Sequence, residues 1–227
     1  MTKEKAITSD QMYEIEENGH TQIGMHRVYM MENAGHGLAD FIINRFKAKL
    51  KGMEILAICG TGNNGGDSFV ASRHLSGYYG AIVKVVLLGF PSELRTEEAK
   101  INWGIVEKMD SLETMFGNEI SNEFKKKISK ADIIIDGIFG TGIKGEIREP
   151  HASIIEMINK SKAYVFSVDV PSGIDPNTGK AHDICVKADA TVTFHRMKVG
   201  LINNRKYTGL IHVERIGIPQ EAERGVV

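Results

Sequence analysis

A glycine-rich loop at residues 60–67 is the first segment of this sequence that could do chemistry. It reads Gly60-Thr-Gly-Asn-Asn-Gly-Gly-Asp67, follows a predicted strand directly and opens a predicted helix. Residues 60–65 match GxGxxG, a pattern in which glycines admit an anion to the backbone and the helix start supplies free N–H groups. The ordinary dinucleotide fingerprint is incomplete, because the next strand lacks the expected ribose-binding acid at its end and the next acid is Glu93. A tight turn without a ligand is the alternative interpretation.

A second loop, Asp136-Gly-Ile-Phe-Gly-Thr-Gly-Ile-Lys-Gly145, follows another apolar run. Asp136 could coordinate a hard cation or orient a ligand at the end of its strand. It could equally close the strand as an Asx turn. Lys144 stands among three glycines, which favours a cation that faces a ligand over a solvated side chain.

The third loop is Asp169-Val-Pro-Ser-Gly-Ile-Asp175. Asp169 follows Asp136 by 33 residues, the length of one strand–helix–strand unit. We therefore expect the two carboxylates on adjacent or near-adjacent strands at the edge where doubly wound sheets bind their ligands. A partly buried carboxylate beside other charges is a candidate for general acid–base catalysis.

The remaining reactive side chains fit no common catalytic pattern. The eight histidines form no HExxH or close pair, no GxSxG elbow exists, and Ser172 has no histidine near it in sequence. Cys59, at a strand end, is interpreted as a small buried apolar residue. The lysine-rich segment 124–130 is interpreted as a solvated helix end rather than a basic binding patch.

Alternating strands and helices are the elements that must position these loops. Short, mostly apolar runs predict strands at residues 54–59, 81–88, 131–135, 163–168, 190–194 and 210–213. Helix-compatible segments lie between them at 67–78, 97–109, 121–130 and 151–160. Two further helices precede the first strand. The first begins at a Thr8–Gln11 capping box and ends at Gly19, and the second carries an apolar stripe through Met31, Leu38 and Ile42. The alternation predicts an α/β fold in one domain, with a mainly parallel sheet between two layers of helices.

Charge, cysteine usage and hydropathy exclude several classes of protein. The 227 residues include 28 Lys and Arg against 29 Asp and Glu, a net charge of −1 that argues against non-specific nucleic-acid binding. Cys59 and Cys185 form no CxxC pair, which argues against a disulfide framework or zinc ribbon and fits a reducing cytoplasm. The most apolar stretch, 81–90, is too short for a membrane helix, and the N-terminus shows no apolar signal segment. We expect a soluble cytoplasmic protein that binds neither nucleic acid nor membrane.

Five segments of the chain form an ordered set that is specific as a whole. They are Ile7-Thr-x-x-Gln-Met-x-x-Ile-Glu16, Met31-Glu-Asn-Ala-Gly35, Gly62-Asn-Asn-Gly-Gly-Asp67, Asp136-x-Ile-Phe-Gly140 with Lys144-Gly145, and Asp169-Val-Pro-Ser-Gly-Ile-Asp175. With them the chain closely resembles the NAD(P)H-hydrate epimerases, the YjeF N-terminal domain family, over nearly its whole length.

The resemblance implies a Rossmann-like three-layer αβα sandwich over residues 1–227, usually a homodimer, with N-terminal helices of about residues 8–50 packed on the sheet. It also implies a repair activity, the interconversion of the R and S epimers of hydrated NADH and NADPH (NADHX and NADPHX). A dehydratase then restores the cofactor. The chain is too short for a fused dehydratase domain, so we expect that partner to be a separate protein.

The family's site residues carry over by position. The substrate-binding residues would be Asn63, Asn64, Gly65, Gly66, Asp67, Gly140, Thr141, Gly142, Ile143, Lys144, Gly145, Glu146 and Asp169. Asn64, Asp136 and Ser172 would hold one potassium ion per subunit, with amide, carboxylate and hydroxyl oxygens as hard donors. We hypothesise that Asp169 is the catalytic acid and base and that Lys144 is its electrostatic or positioning partner.

Three positions depart from the family pattern. Ser68 stands where glycine is usual and could crowd the backbone near the ligand, while Met197 and Val199 occupy sites often held by proline. A non-catalytic, dimeric interaction module of the same fold is the main alternative, although such relatives tend to lose the loops that this sequence keeps. A conventional nicotinamide oxidoreductase is a third interpretation, and the missing ribose acid counts against it.

Overall fold

A seven-stranded parallel sheet forms the centre of the computed structural model, which describes residues 5–77, 80–142 and 145–227. Its strands are β1 (Glu54–Cys59), β2 (Ile82–Leu88), β3 (Leu112–Gly117), β4 (Ile133–Gly137), β5 (Tyr164–Val168), β6 (Ala190–Phe194) and β7 (Leu210–Glu214). The strand order is β3-β2-β1-β4-β5-β6-β7, and every neighbouring pair is parallel. The chain reverses its direction of travel across the sheet between β1 and β4, which is where sheets of this kind bind ligands.

Helices cover both faces of the sheet, as the alternating pattern predicted. They are α1 (Ser9–Thr21), α2 (Arg27–Phe46), α3 (Asn63–Leu75), α4 (Glu97–Val106), α5 (Asn122–Lys130), α6 (His151–Lys160) and the short α7 (Arg205–Thr208). One hydrophobic core packs helices α1, α2, α3 and α4 against the first face of the sheet. A second core packs α5 and α6 against the other face of the sheet. The αβα sandwich is confirmed. Within the described ranges, no helix has the length and apolar character needed to cross a membrane.

The N-terminal helices pack as the apolar stripes require. Thr8 and Gln11 form the predicted capping box at the start of α1. The prediction that Gly19 ends this helix is wrong, because α1 continues to Thr21. Gly19 instead admits a close contact, since a Cβ there would lie 2.9 Å from the Met30 side chain of α2.

Two other boundaries differ from the sequence prediction. Strand β3 was not predicted, because it lies at the sheet edge with half-exposed residues and lacks a continuous apolar run. Helix α3 begins at Asn63 rather than Asp67, so residues 63–67 form its first turn instead of a free loop. The short helix α7 was not predicted either, and the remaining strands and helices lie where expected to within a few residues.

Candidate active site

The three glycine-rich segments predicted to carry chemistry meet at the carboxyl edge of the sheet. Asp136 is the penultimate residue of β4, which lies between β1 and β5. The 60–67 segment follows β1, and the 169–175 segment follows β5. The expected adjacency of the strands that carry Asp136 and Asp169 is therefore confirmed.

Asn64 links all three segments through its side-chain amide. Its Nδ2 donates hydrogen bonds to the carbonyl oxygen of Phe139, at 3.0 Å, and to that of Val168, at 2.7 Å. Ser172 Oγ accepts a hydrogen bond from Phe139 N–H at 2.9 Å and donates one to Asp136 Oδ1 at 2.5 Å. We call these five residues the oxygen cluster. These hydrogen bonds join the start of α3 to the ends of β4 and β5.

Asp136 is the charged member of the oxygen cluster and is fully buried. Its second oxygen, Oδ2, accepts hydrogen bonds from Ser167 Oγ at 2.7 Å and from Ser172 N–H at 2.9 Å. Burial raises the pKa of Asp136 above its usual range, while the hydrogen bonds from Ser172 and Ser167 oppose that rise. The carboxylate is thus held in place from both oxygens.

Glycines allow the segments around the oxygen cluster to approach one another. A Cβ on Gly140 would lie 2.5 Å from Asn64 Oδ1, and one on Gly137 would lie 2.0 Å from Ser68 Oγ. Ser68 is fully buried and donates a hydrogen bond to Asn64 O at 2.8 Å. The departure from glycine at position 68 therefore fills space against β4.

The donor set of the oxygen cluster fits a monovalent cation. Among the described residues, no group of three His, Cys, Asp or Glu side chains could hold a metal ion. The cluster instead combines one carboxylate with hydroxyl, amide and carbonyl oxygens, which suits a hard ion of low charge. If the Asn64 amide turned, its oxygen would join the Phe139 and Val168 carbonyls that its nitrogen now bonds.

Asp169 lies beside the oxygen cluster and has an unusual backbone conformation. Its φ is +60°, in the left-handed region, and its N–H donates to Val192 O at 2.8 Å. Three hydrogen bonds reach its carboxylate, from Thr193 Oγ1 at 3.0 Å, Phe194 N–H at 3.0 Å and Lys198 Nζ at 2.5 Å. All three go to Oδ1, which leaves Oδ2 for another partner.

Lys198 is a site residue that the sequence reasoning did not assign. It is fully buried, and its ammonium bonds Phe194 O at 2.7 Å as well as Asp169. A lysine between the apolar residues Met197 and Val199 was the available signal, because a buried lysine needs a charged partner. The same segment explains one departure from the family pattern, since Val199 N–H donates to Ile7 O at 2.9 Å and a proline there could not.

A small cavity of about 50 Å³ opens next to this ion pair, between the first four helices and the end of β6. We call it the acidic cavity, because carboxyl groups from three helices line it. Its lining residues are Glu16, Arg27, Met30, Met31, Ala34, Asn63, Asp67, Glu98, Phe194 and Ile216. Burial raises the pKa of Asp67 well above its usual range, and the nearby Asp169 and Glu16 carboxylates raise it further.

The predicted substrate-binding residues divide between described and undescribed parts of the chain. Gly65, Gly66 and Asp67 are buried in the first turn of α3, and Asn63 Oδ1 accepts a hydrogen bond from Thr96 Oγ1 at 2.7 Å. The remaining described members lie on the partly or fully exposed loop after β4, at Gly140, Thr141, Gly142, Gly145 and Glu146. Ile143 and Lys144, including the predicted catalytic lysine, lie outside the described residues.

A doubly wound parallel sheet with a polar site at its reversal point defines a Rossmann-like α/β protein of the nucleotide-binding kind. The chain matches the family described as YjeF-related protein N-terminus over residues 28–200, and it belongs to that family.

Known relatives extend the match over nearly the whole chain. A Nitrosopumilus maritimus protein named NAD(P)H-hydrate epimerase is 48% identical over 221 residues, 97% of this chain and 99% of that protein. A protein of the same name from Cenarchaeum symbiosum is 51% identical over the same shares. A bifunctional NAD(P)H-hydrate repair enzyme Nnr from Methanothermobacter thermautotrophicus is 45% identical over 88% of this chain and 38% of its own length. The crystal structure of the yeast protein ynu0 has a TM-score of 0.84 and 27% identity, covering 96% of this chain and 92% of the yeast chain.

Proposed function

We propose that this protein is an NAD(P)H-hydrate epimerase, which interconverts the R and S hydrates of NADH and NADPH. The observation that carries the proposal is the Asp169–Lys198 ion pair, both of whose members bond Phe194, a residue that lines the acidic cavity. The near full-length identity to two relatives named for this activity supports it.

The chemistry of the hydrate explains why carboxylates suit this site. The hydrated nicotinamide ring is uncharged and carries its hydroxyl on a carbon bonded to the ring nitrogen. When the nitrogen lone pair expels the hydroxyl as water, a flat iminium cation remains, and water can return to either face. Carboxylates held in a water-poor site stabilise such a developing positive charge. A proton donor and a proton acceptor are also required.

We assign these roles to described residues first. Asp169 Oδ2, free of the hydrogen bonds that fix Oδ1, is the acid and base, and Lys198 positions the Asp169 side chain. The first turn of α3, at residues 63–67, offers its free N–H groups to the nucleotide phosphates. The described residues of the loop after β4, at 140–142 and 145–146, are assigned to contact the nucleotide, and Lys144 stays in the proposal as an electrostatic partner.

The oxygen cluster is proposed to hold one potassium ion through Asn64, Asp136 and Ser172. Its hard oxygen donors and single carboxylate support this assignment. When bound, the ion supplies fixed positive charge that ties the three segments together. Asp136 and Ser172 keep the loop after β4 in register with the loop after β5.

Two partners complete the proposal. A homodimer is expected from the resemblance to the family. A dehydratase activity is expected to consume the product, since longer relatives are named bifunctional repair enzymes.

Incubation of one purified hydrate epimer with the protein tests the function. Chromatography should show a mixture of both epimers, formed faster with potassium than without it. Formation of the oxidised dinucleotide would indicate an oxidoreductase instead, and formation of NADH or NADPH would indicate a dehydratase. A single epimer that persists at the uncatalysed rate would favour the non-catalytic interaction module.

A further inference from the structure

Among the carboxyl groups that line the acidic cavity, Glu16 is the farthest in sequence from Asp169 and Lys198. Its helix, α1, is tied to the Lys198 segment at its start, because Ile7 N–H donates to Met197 O and Val199 N–H to Ile7 O, both at 2.9 Å. The buried face of α1 includes Ile15, and Glu16 beside it lines the acidic cavity. The fold thus places the side-chain carboxyl group of Glu16, on the first helix, next to the end of β6.

Glu16 differs from the neighbouring acids of its helix. Glu17 is paired with Arg27, and Glu14 is exposed. No described side chain donates a hydrogen bond to the Glu16 carboxylate. Burial raises its pKa to about 7; the Lys198 ammonium opposes that rise and the Asp169 carboxylate adds to it.

The charged groups around Glu16 come from every element that packs against the cavity. They are Arg27 on α2, Asp67 on α3, Glu98 on α4, Asp169 after β5 and Lys198 after β6. Three of these five groups are carboxyl groups. A carboxyl group whose pKa lies near neutral, as that of Glu16 does, can both give and take a proton in acid–base catalysis at neutral pH.

We propose that Glu16 is the second catalytic acid and base of the epimerase, working opposite Asp169 across the bound nicotinamide ring. This inference rests on the proposed function and adds a residue to it. Glu16 lines the cavity from α1, and Asp169, after β5, accepts a hydrogen bond from the N–H of Phe194, which lines the same cavity. The two groups therefore approach from different elements and can serve the two faces of a flat ring.

The proton balance is simple for one inversion. Protonated Glu16 gives its proton to the hydroxyl as the carbon–oxygen bond breaks, and water leaves the iminium cation behind. A water molecule then adds to the other face and gives a proton to ionised Asp169. The reverse inversion uses the same groups in exchanged roles, and solvent water in the cavity returns the proton between turnovers. No oxidant or reductant is needed.

Glu16→Gln tests the inference, with Glu14→Gln as the matched control on the same helix. We expect kcat for epimer exchange to fall at least about 100-fold in Glu16→Gln, with the folded state retained. In the wild type and in Glu14→Gln, kcat should fall as pH rises through about 7, because Glu16 then loses the proton it must donate. Glu16→Gln should lack that dependence.

The outcomes separate the inference from the function itself. A wild type that does not exchange the epimers contradicts the proposed function. An active wild type whose Glu16→Gln variant exchanges within about threefold of it, or keeps the same pH dependence, overturns the role of Glu16. If Glu16→Gln does not fold, Glu16→Asp replaces it. That variant should exchange slowly with its pH midpoint displaced, and an unchanged midpoint would overturn the role.

Discussion

The oxygen cluster and the acidic cavity lie at the same edge of the sheet, but they differ in whether the protein supplies hydrogen-bond partners for their carboxyl groups. In the oxygen cluster, each Asp136 oxygen accepts hydrogen bonds from neighbouring serines. In the acidic cavity, the side chains of Glu16, Asp67 and Glu98 line one small space beside Arg27. The Asp136 carboxyl group of the oxygen cluster therefore has its hydrogen-bond partners within the protein.

The difference distinguishes a region that stabilises the fold, the oxygen cluster, from a region that acts on a ligand, the acidic cavity. A buried carboxyl group without a matching partner costs folding free energy, so its retention in a cavity indicates a task performed on a ligand. The oxygen cluster sets the geometry of the loops. The acidic cavity and Asp169 Oδ2 supply the negative charge that stabilises a cationic intermediate.

Replacement of Asp169 should have the largest effect. Asp169→Asn removes the proposed acid and base, and we expect epimer exchange to fall by about 100-fold or more. It also leaves the buried Lys198 ammonium without its anion, which should lower the free energy of unfolding by about 3 kcal/mol. Exchange assays and chemical denaturation measure the two effects.

A double variant separates these two consequences. Asp169→Asn with Lys198→Met removes both charges, so most of the lost stability should return while exchange stays slow. Recovery of exchange in the double variant would show that Asp169 acts only by pairing with Lys198.

Asp136→Asn tests the oxygen cluster. The new amide would turn an N–H toward Ser172 N–H or Ser167 Oγ, so we expect a loss of about 3 kcal/mol in stability. The melting temperature of the wild type should be higher in a buffer that contains potassium than in a matched buffer that contains neither sodium nor potassium. The variant should lose this difference. Equal stabilisation by potassium in both proteins would remove Asp136 from the proposed ion site.

Gly140 and Gly142 form a matched pair on one loop. A Cβ on Gly140 would lie 2.5 Å from Asn64 Oδ1, whereas a Cβ on Gly142 would meet nothing within 4 Å. We expect Gly140→Ala to cost about 2 kcal/mol by overpacking against the oxygen cluster. Gly142→Ala should leave stability unchanged or raise it slightly. Similar denaturation midpoints for the two variants would contradict the close packing of the Asn64 side chain.

The pH dependence of stability tests the acidic cavity itself. The pKa of Glu16 rises from 4.5 to about 7 on folding, so the stability from its bound proton is complete below about pH 4.5 and is lost as pH rises through about 7. Glu16→Gln stays neutral, so its stability should exceed that of the wild type by up to about 3 kcal/mol at pH 8 and by little at pH 4.5. A pH-independent difference would place the Glu16 carboxylate in water.

The sequence predicted most of the fold because six strands are mostly apolar runs, as in β1 and β4, which are buried almost throughout. It missed β3 because an edge strand needs burial on one side only, and residues 112–117 alternate weakly. It also placed Gly19 at a helix end, since a glycine that serves close helix packing has the same composition signal as one that ends a helix.

The site was predicted in part for a similar reason. Asn64, Asp136 and Asp169 stand in glycine-rich loops after strands, where the sequence marks them. Lys198 and Glu16 lie in segments of ordinary composition, 29 residues after Asp169 in one case and on the first helix in the other. Only the pairing of Ile7 with the Lys198 segment and the packing of α1 bring them to the cavity.

Oxygen-18 labelling tests most directly whether the carboxylates act on a cation formed by loss of water. One purified hydrate epimer is incubated with the protein in 18O-labelled water, and both epimers are analysed by mass spectrometry with the uncatalysed reaction subtracted. The account predicts that each newly formed opposite epimer carries one labelled oxygen in its hydroxyl group. An inverted epimer that keeps its original, unlabelled oxygen would contradict it.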